Sequence, residues 1–485
     1  MSLMPPRRRR DPVIRQPRMR ELRPSIEQPP PMRVPRRLFG SPLMLLVGFI
    51  LLILLGGLIL ALPISSNSGE FTSLDIPFFT AVSAMTVTGH TVVSTGTYWS
   101  GFGQTLIFML MLVGGLGFMV VSTFLLLIIG HRSTLQERML TQGLMQDTVG
   151  VEQFQGLRRI GRRVVMLVFS LYALGTLAIF WQVRNLPELG LGKALWHSLF
   201  LSVSSFNNAG LNILPELPDG SSLARFAQSP LLLLCTAALM ILGGLGWTVL
   251  VDIYRNRRFV RLSLDTKLVV VTSLSLWALG AAVLLVAEWA NPETLGQLGW
   301  FDKTMGALFE SVSGRTAGFS TMDFGQVHDV TKVTYSGLMF IGGAAGSVAG
   351  GIKVVTFAII VAAVVSSLRQ RSQAEAFGRE IPQPQLYRAL AVAVLGLGFI
   401  AIAVPVLTIT DPDLPFLDLL FDTVSALGTT GASTGITSEL SLAGKSMFMI
   451  AMFVGRLGPV TLALTLAPRE EASIYRFARE RVKIG

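Results

Sequence analysis

Apolar residues run along this chain in long uninterrupted blocks separated by short polar breaks. A helix needs about 20 predominantly apolar residues to cross the hydrocarbon of a bilayer. Eight blocks are read as that long: 38–62, 102–129, 164–183, 230–253, 268–290, 334–365, 387–408 and 443–467. Four shorter apolar stretches, 76–86, 194–206, 301–312 and 415–427, are too short to cross, and each lies in the second half of a gap between paired long blocks. The pattern predicts an all-α integral membrane protein.

The short stretches align with one another. They read FFTAVSAMTVTGHTVV, LFLSVSSFNNAGLNIL, LFESVSGRTAGFSTMD and LFDTVSALGTTGASTG. Each carries a bulky pair, a Val-Ser (Ser83, Ser204, Ser313, Ser425) and then a polar turn with a glycine (Gly89, Gly210, Gly318, Gly431). The third copy is one residue shorter between serine and glycine. The following long block has its own mark: VGGLGF, LGGLGW, IGGAAG and VGRLGP. Internal repetition of this kind defines the architecture. The reading is four tandem helix–pore-loop–helix repeats, with eight transmembrane helices and four re-entrant pore helices around a pseudo-fourfold pore. The predicted organisation is a disordered basic arm (1–37), repeat 1 (38–130), repeat 2 with its preceding loop (131–254), repeat 3 with an intramembrane loop (255–366), repeat 4 (367–467) and a tail (468–485).

Charge sets the orientation. Residues 1–37 hold eleven Arg, nine Pro and three acidic residues, so most of the net +11 sits in one arm. That placement argues against nucleic-acid binding, and the prolines oppose an amphipathic targeting helix. Further Arg and Lys gather in alternate loops, at Arg132–Arg163, Arg255–Lys267, Arg369–Arg388 and Arg469–Lys483. The positive-inside rule then puts both termini in the cytoplasm and the short stretches towards the outside. The basic loops either meet anionic membrane lipid or dock a soluble partner. Overall composition agrees: 51% of residues are hydrophobic and 14% charged, against about 25% charged in a soluble domain. The single Cys235 excludes an intramolecular disulfide and a cysteine-based metal site.

Backbone at membrane depth must be buried in protein or line a watery path. Four related turns around one axis meet that condition, because their carbonyls can replace an ion's hydration shell. No carboxylate lies in the turns, which favours carbonyl coordination of a monovalent cation. Glu310 and Asp422 precede the turns; they either brace them from behind and add to the field, or sit at the outer interface. His90 follows Gly89 and is expected at the outer mouth.

The turns TVTGH, NNAGLN, RTAGFS and TTGAST, each between two spans in one chain, resemble those of the Trk/Ktr/HKT superfamily of potassium transporters. The resemblance covers about 38–467, and eight spans are closest to the KtrB branch; a Trk- or HKT-type potassium/sodium transporter with different regulation is the alternative. It implies potassium uptake through a filter formed by Val87, Thr88 and Gly89; Asn208, Ala209 and Gly210; Thr316, Ala317 and Gly318; and Thr429, Thr430 and Gly431. Glycine at position 89 favours potassium over sodium in this family. The family's sixth span is interrupted by a gating loop. The matching stretch here is Ile341–Lys353, with Gly342, Gly343, Gly346, Ser347, Gly350, Gly351 and Lys353. Five glycines in ten residues disfavour a firm helix, at about 1 kcal/mol each relative to Ala; close helix packing is the other reading. Arg456, mid-span in the last block, is a functional candidate by its depth. It matches a family arginine acting as a barrier or gate partner, while a structural ion pair or carbonyl clamp is the alternative. The resemblance further implies a homodimer, a cytosolic nucleotide-binding RCK regulatory subunit (KtrA-like), a location in the plasma membrane (bacterial inner membrane), a transported potassium ion with sodium as a second cation, and no organic cofactor. Nothing in the chain supports an enzyme. AGSVAGGIK lacks P-loop spacing, GGLG follows no strand and so reads as tight helix packing, and His90, His131, His197 and His328 form no metal-ligand or hydrolase arrangement.

Overall fold

The computed structural model describes residues 42–117, 119, 149–187, 189–214 and 222–458. The basic arm, most of the second half of the second apolar block, the loop 131–148 and the tail lie outside the described residues. The chain resolves into two units, Met1–Leu45 and Leu46–Gly485. Of the first, only the start of a helix is described; all other described elements belong to the second.

The described residues are almost all helical. In chain order the helices are α1 (Pro42–Leu60), α2 (Asp75–Thr86), α3 (Thr95–Tyr98), α4 (Gly101–Leu112), α5 (Val149–Val183), α6 (Leu191–Asn207), α7 (Pro230–Arg255), α8 (Leu264–Glu288), α9 (Trp300–Ser313), α10 (Asp329–Phe340), α11 (Val354–Leu368), α12 (Gln383–Thr410), α13 (Phe416–Gly428) and α14 (Leu442–Leu457). Their starts follow from local chemistry. Ser100, Ser263 and Ser441 cap α4, α8 and α14 by accepting from the Gly103, Thr266 and Gly444 amides, and Pro230 stands in the first turn of α7, where no amide partner is needed. A hairpin of β1 (Glu375–Ala376) and β2 (Arg379–Glu380), paired Glu375 to Glu380, joins α11 to α12.

Among the described residues, Gly161–Val183, Pro230–Arg255, Leu264–Glu288 and Gln383–Thr410 are long and apolar enough to cross a membrane. Leu46–Leu60, Gly101–Gly117 and Val354–Leu368 are shorter apolar helices. Large apolar side chains such as Leu51, Leu177, Val286 and Ile402 face outward, as they do in a protein solvated by lipid tails. The stretch 334–365 is not one helix: α10 ends at Phe340 and α11 begins at Val354, because the glycine-rich residues between them leave the helix.

All four short stretches form helices: α2, α6, α9 and α13. Their second halves are buried. Each packs against the helix that comes after it, α4, α7, α10 (through Tyr335) and α14 respectively, and also against one from elsewhere in the chain. That second neighbour is α14 for α2, α4 for α6, α7 for α9 and α10 for α13. The order closes on itself, so the four short helices share one centre.

Candidate site: a ring of four turns

The short helices end in turns that face one another. The α2, α6 and α13 C-termini close with the residue after the helix in the left-handed region: Val87 (φ 56°), Asn208 (φ 55°) and Thr429 (φ 51°). The amides of Thr88, Ala209 and Thr430 reach back to the carbonyls of Ser83, Ser204 and Ser425 at 2.9, 2.8 and 2.9 Å, which satisfies the last helical carbonyls as in a Schellman cap. The third turn is a residue shorter. It reaches the left-handed region at Thr316 (φ 72°), and the Ala317 amide bonds Ser313 at 2.9 Å. Asn tolerates this region, but for the β-branched Val and Thr it is strained by about 1–3 kcal/mol each. The turns hold because their surroundings over-determine them.

The serines of the Val-Ser pairs do part of that work. Ser83 and Ser425 accept hydrogen bonds from the Gly89 and Gly431 amides at 3.1 and 3.0 Å. Ser204 and Ser313 donate to the carbonyls of Leu211 and Phe319 at 2.7 and 2.5 Å. All four serines are fully buried.

The glycines then bring the turns together. A Cβ on Gly89 would lie 2.5 Å from the Ala209 carbonyl oxygen, and one on Gly210 would lie 2.9 Å from that of Ala317. One on Gly318 would lie 1.9 Å from that of Thr430, and one on Gly431 would lie 2.1 Å from that of Thr88. Each glycine therefore presses on the carbonyl just before the next glycine, and the fourth turn presses on the first. All four glycines have positive φ, from 66° to 97°. The sequence-predicted residues Val87–Gly89, Asn208–Gly210, Thr316–Gly318 and Thr429–Gly431 thus stand in one ring. The short helices point their C-terminal, partly negative ends at it.

Two buried carboxylates stand behind the ring. Glu310 on α9 accepts from the Thr321 amide (2.5 Å) and hydroxyl (2.8 Å). Asp422 on α13 accepts from the Ser433 hydroxyl (2.6 Å), the Thr434 amide (2.9 Å) and the Thr437 hydroxyl (3.1 Å). Both tie down the chain returning from a turn, so of the two places open to them they occupy the bracing one. His90 differs from expectation. It is 1% exposed, with Nδ1 3.2 Å from the Thr437 hydroxyl and its ring edge-on to Phe448, because the return limb folds under α14 and does not lie open at a mouth.

Next to the ring, the stretch between α10 and α11 forms a closed loop. The Gly342 amide bonds the Ile352 carbonyl at 2.7 Å, and the Ile352 amide bonds Phe340 at 3.3 Å. Ala344 and Val348 donate from their amides to Gly244 and Gly243 of α7 at 2.9 and 3.3 Å, and the Ser347 hydroxyl turns back onto Ala344 at 2.6 Å. Gly346 and Gly351 have positive φ (77° and 63°), and a Cβ on Gly350 would lie 2.0 Å from the Thr429 hydroxyl. Gly343 and Gly342 admit no Cβ either, facing Gly244 and Gly350 carbonyls at 2.6 and 2.0 Å. Lys353 caps the loop with Nζ 2.5 Å from the Ala349 carbonyl. Arg456, 1% exposed, donates through Nη1 to Val348 of the loop and through Nη2 to Gly114 at 2.6 Å. It therefore clamps carbonyls from two other parts of the chain.

The glycine marks after the turns do more than pack. A Cβ on Gly114, Gly243 or Gly455 would lie 2.0, 1.8 or 1.9 Å from the carbonyl of Met85, Phe206 or Leu427, each two residues past a turn serine. The helices also depart from α geometry there. Val113–Gly117 is π-helical, Gly246 breaks α7 (φ 76°, ψ 158°) and α14 stops before Gly458 (φ 83°). In the third turn the corresponding position is Arg315, which sequence reasoning missed. Its side chain is buried, with Nη2 2.6 Å from the Gly342 carbonyl. The signal available was one arginine among three apolar residues at aligned positions.

A family model described as TrkH, cation transport protein, matches residues 51–475. The chain is 40% identical to the Ktr system potassium uptake protein B of Bacillus subtilis (strain 168) over 437 residues, covering 90% of this chain and 95% of that one. It is 35% identical to the protein of the same name from Vibrio alginolyticus, covering 92% and 95%. It is 34% identical to the potassium/sodium uptake protein NtpJ of Enterococcus hirae, covering 93% and 99%. In fold it is similar to the crystal structure of the potassium transporter TrkH from Vibrio parahaemolyticus, with a TM-score of 0.69 at 18% identity over 89% of this chain and 86% of that one.

Proposed function

The chain belongs to the TrkH family of cation transport proteins, multi-pass membrane proteins rather than enzymes, and from that premise we propose that it takes up potassium as the ion-translocating subunit of a Ktr-type system. The observation that carries this reading is the closed ring in which each of Gly89, Gly210, Gly318 and Gly431 abuts the carbonyl that precedes the next glycine. Carbonyls so gathered, at the partly negative ends of four short helices, suit a dehydrated monovalent cation. Val87–Gly89, Asn208–Gly210, Thr316–Gly318 and Thr429–Gly431 form the selectivity filter in this reading. Four tandem helix–pore-loop–helix repeats with eight crossings supply it from one chain.

The loop from Gly342 to Lys353 is the gate. It is small, glycine-rich and held by hydrogen bonds that a modest movement can exchange. Arg456 holds it closed through Val348, and its positive charge, with that of Lys353, opposes a cation below the filter. Sodium is a second cargo, a reading supported by the name of the Enterococcus hirae relative. The Ktr-system names of two relatives support a multi-subunit assembly. We assign to it a homodimer of this chain and a cytosolic nucleotide-binding RCK regulator. We assign the chain to the plasma membrane, the bacterial inner membrane, and the charge distribution supports cytoplasmic termini.

The test is rubidium uptake by the purified chain in liposomes, with potassium or sodium as competitor. Potassium should suppress rubidium uptake at concentrations where sodium does not. Equal competition by the two ions would overturn the filter. Deleting Ala344–Ala349 should raise uptake, and unaltered uptake would remove the gate.

A further inference from the structure

Arg315 lies where the other three turns carry Met85, Phe206 and Leu427, two residues past the turn serine. In those copies the backbone carbonyl at this position meets a glycine of the next helix (Gly114, Gly243, Gly455). In the third copy the next helix has left its path at Ile341, and the Arg315 side chain spans to it instead. Nη2 donates to the Gly342 carbonyl at 2.6 Å, and Nε lies 3.4 Å from that of Ile341. The guanidinium is 5.7 Å from the centre of the Trp277 ring on α8. One residue further on, Thr316 takes the left-handed conformation that starts the third turn. The shortest of the four turns is thus joined to the first residues of the break after α10 by a buried cation.

We infer that Arg315 is the positioning residue that couples the loop to the third turn: when Gly342 and Ile341 move, Arg315 moves, and the carbonyls of Thr316 and Ala317 move with it. This rests on the reading of the turns as a filter and the loop as a gate. Coupling of this kind is reciprocal. An ion that holds the third turn in place also holds the loop, and removing the guanidinium uncouples the two.

Two measurements on the full chain in liposomes test it. In the first, Arg315→Met, which restores the apolar residue of the other copies, is compared in the intact chain and in the chain lacking Ala344–Ala349. A lost charge-assisted hydrogen bond to the closed loop should raise potassium flux about tenfold in the intact chain. In the deleted chain the same substitution should change flux less than about twofold, because Ile341 and Gly342 remain but the closed loop that Arg315 holds through them is already gone. Equal fold-changes in both chains would make Arg315 a packing residue and overturn the inference. A deletion that by itself leaves flux unaltered removes the gate reading, a separate result.

The second measurement does not use flux. With Cys235→Ser as background, Ser347→Cys is modified by a small thiol reagent in potassium or in sodium. The rate should differ several-fold between the ions with Arg315 present and not at all in Arg315→Met. A rate indifferent to the ion with Arg315 present contradicts the coupling whether or not the loop gates. Arg315→Lys, which keeps the charge but not the forked donors, gives an intermediate result in both measurements and carries the comparison if the Met variant does not fold.

Discussion

Consider Gly318→Ala. The added Cβ would stand 1.9 Å from the Thr430 carbonyl oxygen, where real Cβ contacts essentially never fall below 3.0 Å. The oxygen or the third turn must therefore retreat by at least 3.0 − 1.9 = 1.1 Å. The backbone adds a second penalty, since φ at 318 is +72° and an Ala there costs about 1–2 kcal/mol. Gly69 separates the two effects. Its φ is +70°, but nothing lies within 4 Å of a Cβ built on it. Gly69→Ala should share the backbone penalty and leave transport alone. Gly318→Ala should displace a carbonyl of the ring and, if the ring is the filter as proposed, cut the preference for potassium over sodium by about tenfold or more. The ring gives a graded series, since the same distance is 2.1 Å at Gly431, 2.5 Å at Gly89 and 2.9 Å at Gly210. The assay is rubidium uptake into liposomes against competing potassium and sodium, on protein shown monodisperse in detergent. Wild-type selectivity in Gly318→Ala, or equal losses in Gly69→Ala, would refute the reasoning.

Arg456→Gln removes charged donors from the Val348 and Gly114 carbonyls; with about 1.5–3 kcal/mol for each such bond, rubidium flux should rise about tenfold or more, and unchanged flux in a folded variant would deny Arg456 a part in closure. Asp422→Asn weakens a buried acceptor that holds Ser433, Thr434 and Thr437; the potassium preference should fall, and thermal unfolding should come earlier, while an unaffected preference would limit Asp422 to stability. Asp75, at the start of α2, bonds Lys445 of α14 at 2.8 Å. Burial pushes its carboxyl up, but the Lys445 hydrogen bond and charge, with hydrogen bonds from Ser73 and its own backbone, outweigh this and hold it below 3.8. Its contribution to stability is thus present above that value and is lost as pH falls through the lowered one. The melting temperatures of wild type and Asp75→Asn should differ at neutral pH and converge under acid, and a gap that widens towards low pH would reverse the assigned sign.

Much of this arrangement was legible because the chain states it four times. A glycine five or six residues after a Val-Ser pair, following a helix too short to cross, carries both the turn and its inward orientation. The break between α10 and α11 was legible for a similar reason, since five glycines within ten residues cannot hold a helix against a looser path. What escaped depended on contacts distant in sequence. The left-handed residues are hidden, because Val87, Thr316 and Thr429 are types that oppose that conformation and adopt it only inside the assembled ring. Arg315 finds its carbonyls about 26 residues away, in a loop whose path local composition does not give. His90 follows Gly89 and reads as a mouth residue until the limb that covers it, from Thr437 to Phe448, is in place. The GGLG marks on the second and fourth long blocks read in the sequence as packing. They are packing, but they are also where those helices lose α geometry, and among the described residues the third copy turns that departure into a loop.

The most direct measurement is the location of the ion. An anomalous-scattering map of the chain crystallised in rubidium or thallium should show density on the axis of the ring, in contact with the carbonyls of Thr88, Ala209, Ala317 and Thr430, and that density should weaken when potassium is added. Ions found only elsewhere, with the ring empty at saturating concentration, would contradict the account.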